Sequence, residues 1–344
     1  MLGMSGGVDS SVAAYLLKNE GYDVVGVTLK LWHENDDISA SSIDDAKKVA
    51  DKLGIPFYVF DFKDLFEKNV IDYFTDEYLN GRTPNPCIAC NKHIKFDAML
   101  KKAESMGIDY IATGHYAAIE YDDASGRYLL KKSKTDAKDQ TYVLYNMTQH
   151  QLSHIIMPLG AYEKEDIRKI AIEIGLDVAN KPDSQEICFV ADNDYAGFIE
   201  QRIGQKLPEG NFLDINGNVI GRHKGIIHYT VGQRKGLGAF GKPMFVVKID
   251  AENNTVILGE KGTEFKNYLI ADRTNFISFE KLNASINVKC KVRYNQKEVP
   301  CTVYPIENDR IKVEFDTPQR AVTPGQAVVF YDGEFVVGGA TILE

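Results

Sequence analysis

Along the first two hundred positions, short β-branched and aromatic runs alternate with stretches whose apolar residues return every three or four places. Gly21-Tyr22-Asp23-Val24-Val25-Gly26-Val27-Thr28-Leu29, Ile55-Pro56-Phe57-Tyr58-Val59-Phe60 and Asp109-Tyr110-Ile111-Ala112-Thr113-Gly114 read as strands. Val12 to Lys18, Ile43 to Leu53, Phe62 to Leu79 and Lys95 to Met106 read as helices, with Gly54 and Gly107 as stops. This alternation predicts an α/β fold, a parallel doubly wound sheet with helices on both faces. Beyond about residue 205 the grammar changes to short alternating runs, such as Phe245 to Ile249, Ile286 to Val292, Ile311 to Phe315 and Ala327 to Tyr331. Turn-forming Gly, Asn and Asp separate them, which predicts one or two small β-barrels.

Composition narrows the class. At roughly 150 residues per domain, 344 residues suit two or three. No run approaches the ~18 apolar residues of a membrane span, and the N-terminus lacks a basic-then-apolar leader. Five cysteines in such a chain argue for reduced thiols and a cytoplasmic protein rather than a disulfide scaffold. A net charge of -9 speaks against nucleic acid, yet the acidity is uneven. Residues 1–200 carry 21 basic and 33 acidic side chains, whereas residues 201–250 carry 8 and 3. Polyanions are held by local patches, so the second half remains a candidate RNA surface.

Gly3-Met4-Ser5-Gly6-Gly7-Val8-Asp9-Ser10-Ser11 precedes the first helix. Adjacent glycines let backbone amides approach a polyanion, serines add donors, and the helix N-terminus adds its dipole. The spacing is neither a Walker A loop nor G-x-G-x-x-G. A plain turn with Asp9 or Ser10 as helix cap would use the same residues. Cys87 and Cys90 lie in Arg82-Thr83-Pro84-Asn85-Pro86-Cys87-Ile88-Ala89-Cys90-Asn91-Lys92. A helix beginning near Lys92, and Lys92 itself, are expected to lower their thiol pKa. Cys188 follows Asp183-Ser184-Gln185-Glu186-Ile187, and its apolar neighbours would equally suit a packed cysteine. Cys290 and Cys301 fall on β-runs and read as structural.

The loop resembles the S-G-G-x-D-S signature of the PP-loop ATP pyrophosphatases, which share an adenine nucleotide alpha hydrolase-like fold. That resemblance implies a longer strand before the loop than Met1 and Leu2 supply, so a few apolar residues are expected to be missing ahead of Met1. Further segments fit a narrower family: Ala112-Thr113-Gly114-His115-Tyr116, Lys138-Asp139-Gln140-Thr141-Tyr142, His228 to Gly238, and Val292-Arg293-Tyr294. With both cysteine segments, the chain resembles the bacterial tRNA-specific 2-thiouridylases, the MnmA family, over nearly its whole length.

The resemblance implies three parts: a PP-loop ATP-binding catalytic domain at 1–204, a central β-rich tRNA-binding domain at 205–267 and a C-terminal β-barrel at 268–344. Gly3, Met4, Ser5, Gly6, Gly7, Val8, Asp9, Ser10, Leu29 and Gly114 would hold ATP with Mg²⁺, for which Asp9 is a candidate ligand. Asn85, Pro86 and Cys87 would contact the target base, although many members carry Asp where Cys87 stands. His115, Lys138, Asp139, Gln140, Arg234, Lys235, Arg293, Tyr294 and Gln326 would contact tRNA. The uracil O2 would be adenylated, Cys188 would carry sulfur as a persulfide from a donor protein, and Cys90 would be the partner nucleophile. A Cys90–Cys188 disulfide would close the turnover. Cys87, Cys90 and Cys188 would alternatively suit an iron–sulfur cluster with one open iron. Two competing readings stay open: another PP-loop adenylating synthetase or amidotransferase, and a nucleotide-sensing or RNA-binding module without catalysis.

Overall fold

The computed structural model describes residues 1–32, 36–181, 187–190 and 194–344, with backbone alone for 36–40 and Asn180. Strands β1 (Leu2–Gly3), β2 (Gly26–Lys30), β3 (Phe57–Asp61), β4 (Ile111–Ala112) and β7 (Ile155–Ile156) form one sheet in the order β3-β2-β1-β4-β7. Every pairing in it is parallel. Two-residue β1 thus lies at the centre. Alternation along β1 and β4 assigns the faces. Met1 and Ile111 pack with Phe96, Met99 and Leu100, while Leu2 and Ala112 pack with Val12, Leu16 and Ala171. Helices α1 (Val8–Asn19), α2 (Asp36–Leu53) and α5 (Lys164–Glu173) belong to the second face.

Two continuous helical rods complete this part: α3 (63–79) and α4 (86–105), each α-helical at its ends with a π-helical middle. The start of α4 corrects the expectation of a helix beginning near Lys92. Asn85 caps it by accepting from the Cys87 N–H at 3.1 Å, and Pro86 occupies the first helical position. Its missing N–H would have had no partner there in any case. Both cysteines therefore ride the first turn of a helix rather than the loop before it.

The centre of the chain follows α6 (Tyr195–Ile203) with β8 (Gly210–Leu213), β9 (Val219–His223), β10 (Met244–Asp250) and β11 (Thr255–Glu260), ordered β10-β11-β8-β9. Its Phe212, Val246, Val256 and Leu258 share a core with Phe66 and Phe74 of α3, and with Cys90 and Ile94 of α4. The remaining strands are β12 (Phe265–Phe276), β13 (Ile286–Lys291), β14 (Val299–Ile306), β15 (Arg310–Arg320), β16 (Ala327–Asp332) and β17 (Phe335–Ile342). They run β12-β15-β14-β13-β16-β17, and β12 pairs β17 to close a barrel. Long β12 manages both pairings by changing partner at Ala271, with an irregularity between Asp272 and Asn275 where Arg273 takes φ +50°. Such bulges turn the corners of barrels.

The sequence pattern did not foresee a hairpin of the first part joining this barrel. Strands β5 (Ala117–Asp122) and β6 (Arg127–Lys132) extend the sheet at β17, pairing Leu130 with Val336 and Lys131 with Phe335. Asn275 Nδ2 adds hydrogen bonds to the carbonyls of Tyr145 and Met147, at 2.6 and 3.1 Å.

Candidate active site

The phosphate loop leaves β1 at the carboxyl end of the parallel sheet, where such sheets bind ligands. Met4 N–H donates to the Val27 carbonyl at 2.7 Å, and buried Thr28 Oγ1 donates to the Met4 carbonyl at 2.7 Å. Gly6 adopts φ +69°, and a side chain there would press a Cβ to 2.5 Å from the Ser42 carbonyl oxygen. Gly7 precedes α1 without any side-chain cap on that turn, leaving the helix N-terminus available to an anion. Met4 and Val8 are buried, so their side chains anchor the loop.

The Ser10 hydroxyl accepts from the Ser5 N–H at 3.1 Å. Gly114, expected at the nucleotide, does meet this loop: a Cβ there would lie 2.8 Å from the Ser10 nitrogen. Leu29 is half-buried on β2. Asp9, the candidate Mg²⁺ ligand, has both oxygens engaged by Lys164 at 2.7 and 2.8 Å, and Tyr116 Oη donates to it at 2.8 Å. Lys181 Nζ reaches the Gly6 carbonyl at 3.1 Å and Asp45 at 2.9 Å. Sequence reasoning missed both lysines; they lie far from the loop in the chain and carry no local motif.

The thiols converge from two segments. Cys87 and Cys90 occupy the first turn of α4, and Cys188 precedes Phe189, whose ring is wedged against Phe66 and Phe74 at 5.7 and 5.3 Å. Asp183 to Glu186, which lead to Cys188 in the sequence, lie outside the described residues. Cys87 and Cys188 are exposed and Cys90 is buried, yet each sits in a protein-crowded hollow. Lost hydration pushes the Cys87 and Cys90 thiols up and Cys188 up to about 12, and for Cys188 the neighbouring Cys90 and Cys87 add to the rise. This reverses the expected lowering: desolvation outweighs the favourable helix end.

The opposing cation is also a correction. Lys95, not Lys92, favours the thiolate at all three cysteines. Lys92 points instead to a cavity of about 420 Å³ lined by Ile88, His93, Tyr145 and Arg273. Lys95 Nζ lies 3.5 Å from His115 Nε2, and His115 Nδ1 lies 2.8 Å from Thr113 Oγ1. His115 is buried, and burial first, Lys95 second, holds its imidazole well below the usual 6.5. Gly114 touching the loop and His115 touching Lys95 thus link the phosphate site to the thiols through two adjacent residues.

The residues expected at RNA divide into exposed and engaged groups. Arg234 and Lys235 are exposed, and Lys138 is half-buried. Asp139 is buried, accepting from the Ser133 N–H at 3.1 Å and the Thr141 hydroxyl at 2.5 Å. Gln140 Oε1 accepts from the Tyr116 N–H at 2.9 Å. Arg293 donates to the Val231 carbonyl and to Thr323 Oγ1, at 2.9 and 2.7 Å, tying the barrel to the central part. Tyr294 packs edge-on against Tyr142 at 6.0 Å, and its phenol is raised by burial first, then by Asp139 and Cys87. Gln326 Nε2 donates to the Thr83 and Pro84 carbonyls at 2.8 and 3.3 Å, so a barrel residue clamps the approach to Asn85, Pro86 and Cys87.

The expected cluster ligands do not form a metal site. Among the described residues no trio of His, Cys, Asp or Glu is arranged to hold a metal ion. Likewise, among the described residues no helix is long and apolar enough to cross a membrane.

Three family models match in succession: "tRNA methyl transferase HUP domain" at 1–192, "tRNA methyl transferase PRC-barrel domain" at 196–260 and "Aminomethyltransferase beta-barrel domain" at 266–342. The tRNA-specific 2-thiouridylase MnmA of Acetivibrio thermocellus is 61% identical, covering 99% of this chain and 98% of that protein. Its namesake from Clostridioides difficile is 58% identical, covering 99% and 97%. Among solved structures, the U34-tRNA thiolase NcsA of Methanococcus maripaludis with its [4Fe-4S] cluster is 22% identical, covers 54% of this chain and 59% of its own, and has a TM-score of 0.35. That likeness is too loose to bear on the chemistry. With identities above half over the full chain, this protein belongs to the family of the tRNA-specific 2-thiouridylases MnmA.

Proposed function

We propose that this chain 2-thiolates the wobble uridine of tRNAs for Lys, Glu and Gln, using ATP and a cysteine persulfide. The observation that carries the reading is the meeting of Cys188 with Cys90 and Cys87, distant in sequence, in a hollow joined to the phosphate loop through Gly114 and His115. A synthetase delivering ammonia has no use for that pairing.

The uracil O2 attacks the α-phosphorus of ATP, pyrophosphate leaves, and C2 becomes bonded to a good leaving group, AMP. Backbone N–H groups at Gly6, Gly7 and the start of α1 face the phosphates, and Mg²⁺ arrives with the nucleotide's own oxygens. A donor protein transfers sulfur to Cys188, giving Cys188–S–S⁻. Its terminal sulfur bonds C2 and AMP departs with the C–O bonding pair. The Cys90 thiolate then attacks the Cys188 sulfur, the S–S bond breaks toward the base, and 2-thiouridine leaves. The product is a Cys90–Cys188 disulfide, whose two-electron reduction by a cellular dithiol restores the enzyme and suits the cytoplasm. Asn85, Pro86 and Cys87 receive the everted base, and Tyr294 offers it a ring face. Arg234, Lys235 and Lys138 are the cations offered to RNA phosphates. No step here passes through an iron–sulfur cluster.

The test incubates the protein with ATP, Mg²⁺, a persulfide donor, a dithiol and unmodified tRNA for Lys. The expected product is 2-thiouridine, with one pyrophosphate per base. Pyrophosphate release without thiolation, or full activity in Cys188→Ser, overturns the reading.

A further inference from the structure

The phosphate loop has no cation of its own. Between Gly3 and Ser11 there is no Lys or Arg, and the first basic residue beyond it, Lys18, lies in the last turn of α1. The uncapped start of α1 offers roughly half an elementary charge, far less than a triphosphate carries. P-loop enzymes meet that deficit with a lysine inside the loop. Here the positive charge has to come from elsewhere in the chain.

Two lysines reach the loop through the fold. Lys164 gives its ammonium to both oxygens of Asp9, at 2.7 and 2.8 Å, and its side chain is largely buried. Lys181 is placed differently. Its Nζ donates to the Gly6 carbonyl at 3.1 Å and to Asp45 Oδ2 at 2.9 Å, while its side chain stays half-exposed. An ammonium carries three donors, and the Gly6 carbonyl and Asp45 take two. Gly6 is also where α2 closes on the loop, since a Cβ there would meet the Ser42 carbonyl oxygen. Ser42, Asp45, Gly6 and Lys181 therefore form one wall beside the anion site.

Asp45 can release Lys181 without being stranded. Its other oxygen faces Lys48 at 4.0 Å, so the carboxylate keeps a counter-ion. A solvent-accessible pair such as Lys181–Asp45 also contributes little to stability. We propose that Lys181 is a ligand of the ATP polyphosphate. On binding, its ammonium exchanges Asp45 for a phosphate oxygen, keeps the Gly6 carbonyl, and leaves Lys48 beside Asp45. Lys181 opens the stretch of sequence that runs to Cys188, so one stretch meets the nucleotide at its start and carries the sulfur at its end. The role rests on the ATP-using reading, but nucleotide affinity is measured without tRNA or sulfur donor.

The experiment titrates the full-length protein calorimetrically with ATP and Mg²⁺, and separately with adenosine, which keeps the base and ribose but has no phosphate. Hydrogen bonds between charged groups are among the strong ones, so Lys181→Met and Lys181→Gln are expected to weaken ATP binding roughly ten- to a hundredfold. Adenosine affinity should not change. Lys181→Arg, which keeps the charge, should retain most of the ATP affinity. Asp45→Asn removes the carboxylate but leaves the ammonium, and should bind ATP at least as tightly as the wild type. That split separates a ligand from one half of a structural pair, which either substitution would break equally. A folded Lys181→Met or Lys181→Gln protein with wild-type ATP affinity overturns this role alone. Equal losses for ATP and adenosine, or equal losses in Lys181→Met and Asp45→Asn, overturn it too, because they assign Lys181 to the shape of the loop. Wild-type protein that does not bind ATP overturns the ATP-using reading, and this role with it.

Discussion

The chain carries two groups of cysteines in opposite settings. Cys290 and Cys301 sit diagonally across β13 and β14 inside the barrel, 0% and 2% exposed, among Leu269, Val303 and Phe330. Both are free thiols, and a hydrogen bond to Cys301, followed by burial, pushes the Cys290 thiol far up. Cys90 and Cys188 are raised as well, but at their site one sulfur is exposed, a third thiol stands by, and a lysine opposes the desolvation. Burial alone therefore does not separate a structural thiol from a reactive one. Access and a facing cation do.

The largest effect expected from this contrast is on turnover. Cys188→Ser and Cys90→Ser should each lower 2-thiouridine formation on the order of 10³-fold or more, because nucleophiles acting as a unit are lost together. Cys301→Ala should keep kcat within about twofold, since no reacting group touches the barrel interior. Next comes access: in native protein Cys188 should be alkylated roughly 10²-fold faster than Cys290 or Cys301, whose labelling must wait for barrel opening. Equal native labelling of all three would break the comparison.

Cys290→Ser should lower stability by about 1–3 kcal/mol in urea titration, because a hydroxyl in that apolar core loses its hydration. The smallest effect is on pH. His93, His115, His223 and His228 are all held below the ordinary 6.5, chiefly by burial, and no histidine occurs after residue 228. Below 6.5 the unfolded chain takes up protons that the folded chain refuses, so stability falls as pH drops through that range. The urea midpoint should decline between pH 7 and 5.5, and His115→Asn should flatten the decline. An unchanged slope in that variant would remove His115 from the account.

Much of this was legible in the chain. The glycine-serine loop, the strand at Asp109 to Gly114, which narrows to Ile111–Ala112, and the barrel's alternation all announce themselves through period and turn chemistry. The start of α4 was legible too, since Asn85-Pro86 is a cap followed by a first-position proline, but the prolines read more readily as an extended approach. The choice of Lys95 over Lys92 was not legible. It depends on a π-turn, and hydrophobic periodicity is read at α-helical spacing. The phosphate-loop lysines Lys164 and Lys181 arrive through tertiary packing of distant segments, and Gln326 reaches Thr83 and Pro84 from the barrel. Sequence neighbours say nothing of such meetings.

The hairpin of β5 and β6 imposes an order on biogenesis. Lys131 pairs with Phe335, about 200 residues later in the chain. As the polypeptide emerges from the ribosome, β6 must wait with an unpaired edge until the last strand, β17, has been made. The catalytic half therefore cannot finish folding ahead of the barrel. A nascent chain that stalls or is cleaved before β17 would present that edge to its neighbours, a hazard that a strictly sequential arrangement of the same parts would avoid.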